Sequence, residues 1–392
     1  MTTRQYILLS ICVSLFALGQ FHRAAGAVAA PLWAGDFLLS AEQLGVVIGV
    51  IFVATILAQG PIGAALDRYG PRVVLTGTIA LVALGTYGCL LATGYGALLA
   101  ARVLIGVGLA STGIGMYVLL ARNFPAGEFG YLNGLMVTLG GVGGLAATYP
   151  LALLVEAWGW RAVFAGLSVG TLALAAAIYV ATRPGQDAAA AEERRVSLRT
   201  LLATPGFAPI LLISVVTYAP IVTITGLWGG PYFTDVHGMS LSDAGVILFV
   251  LFGATMVAGT VFGVLERRGL SRRVTIPGAA LLSAGCFALA GLLGGLGPWL
   301  PAALLVLAIF AQNFYIPLLA ELKERVPDGA IGRATSVFSI VAVGAIPVLQ
   351  TGYGAVLARA EVAEIGHRNA LLAMAALIAV LALGYAALTR TR

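Results

Sequence analysis

The sequence predicts an all-α membrane protein of twelve transmembrane helices, arranged as two pseudo-symmetric bundles of six. Three observations predict it. Of 392 residues, 60% are hydrophobic and only 10% are charged, where a soluble globular chain carries about 25% charged residues. A water-soluble protein of 40.1 kDa with a mean hydropathy of +1.00 would lack a polar skin. Apolar runs long enough to cross the hydrocarbon core, roughly 20 residues each, recur along the whole chain. Finally, one long charged stretch near the middle, "TRPGQDAAAAEERRVSLRTLLATPG", divides these runs into two sets of six.

The spans follow in order at 6–30, 43–63, 73–92, 96–119, 129–155 and 162–182, then 206–228, 243–264, 274–296, 301–320, 334–357 and 369–388. The domains are therefore an N-terminal six-helix bundle (1–182), a cytoplasmic linker (183–205) and a C-terminal six-helix bundle (206–392). The run from Tyr6 is too long for a signal-peptide core and lacks a cleavage site, so it reads as the first span. Small residues, including 51 glycines, suit close helix approach within a bilayer. Cys12, Cys89 and Cys286 stand singly in apolar runs, with neither disulfide nor metal-ligand spacing.

Orientation follows from the basic residues. With both termini in the cytoplasm, 17 of the 22 Lys and Arg lie on that side and three, Arg161, Arg359 and Arg368, lie outside. Arg23 and Arg102 fall within spans. The net charge of +6 thus belongs to the cytoplasmic face of an inner membrane and needs no nucleic-acid partner.

The two halves echo each other. "GAALDRYGPRVV" after the second span matches "GVLERRGLSRRV" after the eighth, and "RNFPAGEFGYLNG" after the fourth matches "KERVPDGAIGRATS" after the tenth. Parallel repeats of this kind are a carrier signature, with the ligand site between halves near the bilayer midplane. The loop Gly63 to Arg72 and the pattern Arg102-x-x-x-Gly106-x-Gly108 point to a family, as does the stretch Arg122 to Gly134. All three sit at the span numbers where the major facilitator superfamily carries its motifs, and the sequence resembles that superfamily over its full length. Pro71 departs slightly from the family's usual loop ending, and the fifth span lacks the Gly-Pro pair of the family's drug/proton antiporters.

The resemblance implies that spans one and four line a central cavity. It also implies that Asp67, Arg68 and Arg72, with Gly63 and Gly70, form a cytoplasmic latch that breaks when the carrier changes state. Read as physics, Asp67 at a helix end can pair with a nearby cation or face a helix N-terminus.

An ionisable group inside a span is a functional hypothesis by default. All sixteen acids map to loops or span ends, so Arg23 and Arg102 have no carboxylate at their depth. A guanidinium matches a carboxylate or phosphate with a bidentate fork. The expected counter-ion is the substrate, a small organic anion. Snorkelling to the headgroups competes for Arg23, and a structural role competes for Arg102. His22, read as the one imidazole within a span, is the candidate for proton coupling. The opposite wall is expected from Tyr218 and Trp228 of span seven and from Gln312, Asn313 and Tyr315 of span ten, with Tyr117 and Gln350 as weaker candidates.

The expected function is therefore a secondary or facilitative carrier of a small organic anion, working by alternating access. The alternatives are a proton-coupled exporter of drugs or amphipathic metabolites, and a membrane sensor without flux. No enzyme is expected: the chain has three histidines, no metal-spaced ligands and no cofactor motif, and it lacks an ATP-binding G-x-x-x-x-G-K-[ST] loop. The expected partners are the bilayer, a small molecule and a coupling proton, with the protein monomeric.

Overall fold

The computed structural model describes residues 3–125, 128–182, 201, 204–326 and 331–390. Most of the expected linker 183–205 lies outside them. Among the described residues the elements are helices, without a strand. Ten of the helices are long and apolar enough to cross a membrane. Two of these ten, Ala41–Leu91 and Thr138–Ala181, run 51 and 44 residues and so extend over two expected spans each. Residue contacts divide the chain into two compact units, Met1–Ala190 with Leu241–Val246, and Ala191–Ser240 with Ile247–Arg392.

The first unit begins with α1 (Thr3–Ala24) and α2 (Gly26–Phe37), separated by a turn at Ala25. Next comes α3 (Ala41–Leu91), opened by a capping box in which Gln43 N donates to Ser40 Oγ and Ser40 N donates to Gln43 Oε1. The α3 helix changes direction at Gly70, where φ is +74°, a left-handed conformation that favours glycine. Pro71 follows and cannot supply the amide that would rejoin the two limbs.

Against α3 packs α4 (Tyr95–Asn123). Its R-x-x-x-G-x-G pattern has a steric reason. A methyl on Gly106 would sit 2.6 Å from the Ile51 carbonyl oxygen, and one on Gly108 would sit 2.5 Å from that of Thr78. The two glycines let α4 press on both limbs of α3, and Thr55 Oγ1 donates to the Gly106 carbonyl at 2.8 Å across this seam. The unit closes with α5 (Phe129–Gly140), α6 (Val142–Ala146) and α7 (Tyr149–Ala181), the last broken at Gly159.

The second unit starts with a discontinuous span: α8 (Phe207–Ser214), an unwound stretch at 215–218, then α9 (Ala219–Thr223). Pro220 in the first turn of α9 explains the restart, since proline is tolerated where no intrahelical donor is needed. The span continues through a π-helical turn (Ile224–Trp228), the short α10 (Gly229–Pro231) and a second π-helical turn (Tyr232–Val236). After it come α11 (Leu241–Arg267), α12 (Arg272–Leu292) and another interrupted span, α13 (Trp299–Gln312) with α14 (Tyr315–Arg325). The unit ends with α15 (Ile331–Leu357) and α16 (Ala363–Arg390).

Candidate functional site

In the first unit the expected residues gather near the break between α1 and α2. Arg23, in the last turn of α1, is half-buried and donates from Nη1 to Gln20 Oε1 at 3.0 Å. Its guanidinium folds back over Gly19, where a methyl would lie 3.5 Å from Arg23 Nη1 and 3.0 Å from Thr112 Oγ1 of α4. Gln20, Arg23 and Thr112 therefore lie close together, with Thr112 buried and its hydroxyl donating to the Leu109 carbonyl at 2.8 Å.

Arg102 behaves differently. It is 2% exposed. Its Nε donates to the Val47 carbonyl at 3.3 Å, and its guanidinium carbon lies 5.3 Å from the centre of the Trp33 ring. Both contacts come from the same unit, through a main-chain oxygen and a cation–π attraction. His22 is also sealed, at 1% exposure, and its Nε2 has no hydrogen-bond partner among the described residues. As neighbours on a helix, His22 and Arg23 project in different directions; the structure buries the first and leaves the second accessible.

Just beyond, Asp36 at the end of α2 accepts from Trp160 Nε1 at 2.8 Å and from Arg161 Nη1 at 2.7 Å. These donors, Trp160 first and then Arg161, hold the Asp36 carboxyl below the usual carboxylate range. Trp33 packs edge-on against Trp160 and Phe164, so the aromatic wall behind Arg102 is continuous with this clasp.

In the second unit the two interrupted spans meet at their breaks. The Gln312 amide, wholly buried at the end of α13, donates to the Val216 carbonyl inside the unwound stretch of its neighbour. Asn313 Nδ2 returns to the Ile309 carbonyl at 2.9 Å. Half-buried Tyr218 and Tyr315 flank these breaks, with Tyr315 against Phe338 at 5.7 Å. The structure thus brings four of the five expected second-unit residues to two breaks joined by one hydrogen bond.

Trp228 lies elsewhere, in the first π-helical turn. It donates from Nε1 to the Gln350 carbonyl at 2.9 Å, and Gln350 Nε2 donates back to the Val222 carbonyl at 3.3 Å. Its ring stacks on Tyr353 at 5.3 Å. Sequence reasoning held Gln350 as a minor candidate and missed Tyr353 and His367. His367 corrects the reading of His22 as the one imidazole inside a span, because it lies in the second turn of α16 and is wholly buried. No periodic signal marked it, since it stands in the mixed stretch "AEVAEIGHRNA".

On the expected latch, Asp67 and Arg68 are exposed and Asp67 has no ion pair among the described residues. Arg72 lies over the Tyr179 ring at 4.0 Å and Arg68 over Tyr69 at 5.1 Å. A methyl on Gly63 would meet nothing, and Gly70 supplies the bend described above. The repeat of this loop in the second unit is the one that carries ion pairs. Arg272 binds both Glu266 and Glu324, Arg325 binds Glu321, and Tyr385 Oη donates to Glu321. The carboxylates and guanidiniums of this set border a polar cavity of about 510 Å³.

The description "Major Facilitator Superfamily" matches residues 9–349. The chain belongs to that superfamily. It is an integral, multi-pass membrane protein. It is similar to the riboflavin transporter RibZ of Clostridioides difficile, 24% identical over 48% of this chain and 41% of that protein. It is also similar to the niacin transporter NiaP of Acinetobacter baylyi, 26% identical over 33% of this chain and 29% of that protein. The chain thus spans less than half the length of these curated relatives. A bacterial homolog of the human lysosomal transporter Spinster, solved inward-facing and occupied, shares the fold with a TM-score of 0.79 at 18% identity. That likeness covers 100% of this chain and 98% of that one.

Proposed function

We propose that the protein is a secondary carrier, not an enzyme, and that it moves a small organic anion by alternating access between two six-helix halves. The observation that carries this reading is Arg23. It is a half-buried guanidinium inside an expected span, and one of its nitrogens donates to Gln20. Gln20, which accepts from its Nη1, stands beside it as an uncharged partner for the rest of the ligand. Arg102 supports the site from behind: its charge is served by Val47 and Trp33, so it braces the aromatic wall while Arg23 meets the cargo. Relatives named for riboflavin and niacin favour a small metabolite as that cargo. The broken spans of the second unit, at whose interruptions Gln312, Asn313, Tyr218 and Tyr315 stand, favour a carrier, because discontinuous helices are frequent at carrier sites. Both termini are assigned to the cytoplasmic side of an inner membrane by the basic-residue bias.

The test is uptake of labelled anions and cations into vesicles holding the purified protein. A charge-assisted hydrogen bond contributes about 1.5–3 kcal/mol, and about 1.4 kcal/mol is a factor of ten. Arg23→Ala is therefore expected to lower anion uptake by about ten- to a hundred-fold, with Arg23→Lys retaining part of it. Equal anion uptake by Arg23→Ala and the parent would overturn the reading, as would transport of cations alone.

A further inference from the structure

Arg72 is a guanidinium at the membrane border that meets no carboxylate among the described residues. It stands at the start of the second limb of α3, just ahead of the expected third span. Half-buried, it lies over the Tyr179 ring in the last turn of α7. Its Nε is buried and without a hydrogen-bond partner among the described residues, and so is the Thr76 hydroxyl one turn further along. Thr78 differs: it donates to the Val74 carbonyl one turn back at 2.8 Å, the usual outlet for a helical threonine. Two neighbouring donors left unmet point to an acceptor that comes from outside the chain.

The place of this pair decides what that acceptor is. Residues 72, 76 and 83 fall on one face of the limb, and Ser168 of α7 donates to the Ala83 carbonyl across that face at 2.9 Å. Arg72 and Thr76 therefore lie at the end of the seam between α3 and α7. On either side of the seam the two helices turn apolar residues to the bilayer. Val73, Leu84 and Leu91 form one exposed line on α3, and Val169, Leu172 and Val180 share an exposed face of α7. An acyl chain can lie along these stripes while its headgroup stays level with Arg72. A free anion gains nothing from them.

We propose that Arg72, with Thr76 and the Tyr179 ring, binds the phosphate of an anionic glycerophospholipid at the end of the seam between α3 and α7. The guanidinium fork matches two phosphate oxygens, and the threonine hydroxyl serves a third. Tyr179 steadies the guanidinium from its other side by cation–π attraction. Charge selects the headgroup. Exposed Arg68 adds a second cation four residues earlier, and exposed Asp67 offsets one of the two, so one positive charge is left for one phosphate. A choline headgroup would bring its own ammonium to the same place and forfeit that attraction. Basic residues between spans at a membrane face suit anionic headgroups for this reason.

The test uses the full chain, purified in detergent and titrated with dioleoylphosphatidylglycerol or dioleoylphosphatidylcholine, with bound lipid counted by native mass spectrometry. The parent is expected to retain the glycerol lipid in preference to the choline lipid. A basic residue near the membrane surface contributes a factor of about five in lipid affinity, so Arg72→Ala should weaken phosphatidylglycerol binding by at least that factor. Thr76→Val should weaken it less. Arg273→Ala, which removes an exposed arginine from the matching loop of the second unit, should bind as the parent does. In phosphatidylglycerol nanodiscs, solid-state spectra of the parent should show a nitrogen-15 to phosphorus-31 contact from the Arg72 guanidinium, identified by its loss in Arg72→Lys. Absence of that contact in the parent would overturn the proposal without any weakened variant needing to fold. So would equal retention of the two lipids, or equal losses in Arg72→Ala and Arg273→Ala. Displacement of the lipid by inorganic phosphate would also overturn it, by making the site one for a free anion.

Discussion

Two guanidiniums of the same chemistry, both inside spans, meet different fates here because of what each can reach. Arg102 sits where α2 and α3 bring it a ring and a carbonyl, and Arg23 sits one turn from a helix break with an accessible side. Their presence was legible in the sequence; their difference was not, since it depends on Trp33 and Val47 arriving from distant positions. Asp36 gives a residue-scale prediction with a defined sign. Its carboxyl is held below the usual range by Trp160 and Arg161, so its contribution is present above about pH 4, the ordinary carboxylate value, and is lost as pH falls through the lowered one. The pair is largely exposed, and such pairs contribute at most about 1 kcal/mol. Thermal unfolding of purified Asp36→Asn at pH 7 should show a small loss of stability. The gap to the parent should narrow as pH falls below about 4 and close once pH is below the lowered value, and a gap that does not narrow would assign the stabilisation to something other than the charge.

At the scale of elements, the glycines of α4 explain why the R-x-x-x-G-x-G pattern has its spacing. Gly106 and Gly108 face opposite limbs of α3, at contact distances that leave no space for a side chain. Gly106→Ala should therefore push α3 and α4 apart, at a cost of about 1–3 kcal/mol for overpacking, read as a lowered midpoint in thermal unfolding. Gly77→Ala, where a methyl meets nothing, is the control and should match the parent. Equal midpoints for the two variants would refute the close-approach account. Helix interruptions were less legible than helix contacts. Pro220 accounts for the restart of α9 and Gly70 with Pro71 for the bend of α3, but no residue type marks the π-helical turns. The first of those turns is tied through Trp228 to Gln350, which lies far from it in the chain. The burial of His367 was hidden for the same reason.

Over the whole molecule, the sequence displayed the membrane character and the repeat because both are written in composition and in loop pairs. The two loops of matching sequence differ in the partners they meet. The loop with Asp67, Arg68 and Arg72 has no ion pair of Asp67 among the described residues, whereas the matching loop of the second unit ties Arg272 to two carboxylates. Matching sequence patterns fixed where the loops fall, and neighbouring helices decided which one acquired partners. The orientation assigned from the basic residues can be tested directly, because Cys12, Cys89 and Cys286 are all buried and give little background to a thiol reagent. Leu38 is 89% exposed in the turn after α2, and Ser271 is exposed ahead of α12. With seventeen basic residues assigned to the cytoplasmic side, Leu38→Cys should react with an impermeant maleimide added to intact cells. Ser271→Cys should react only after the membrane is opened. The reverse pattern would invert the topology and place Arg23 in the cytoplasmic half of the bilayer.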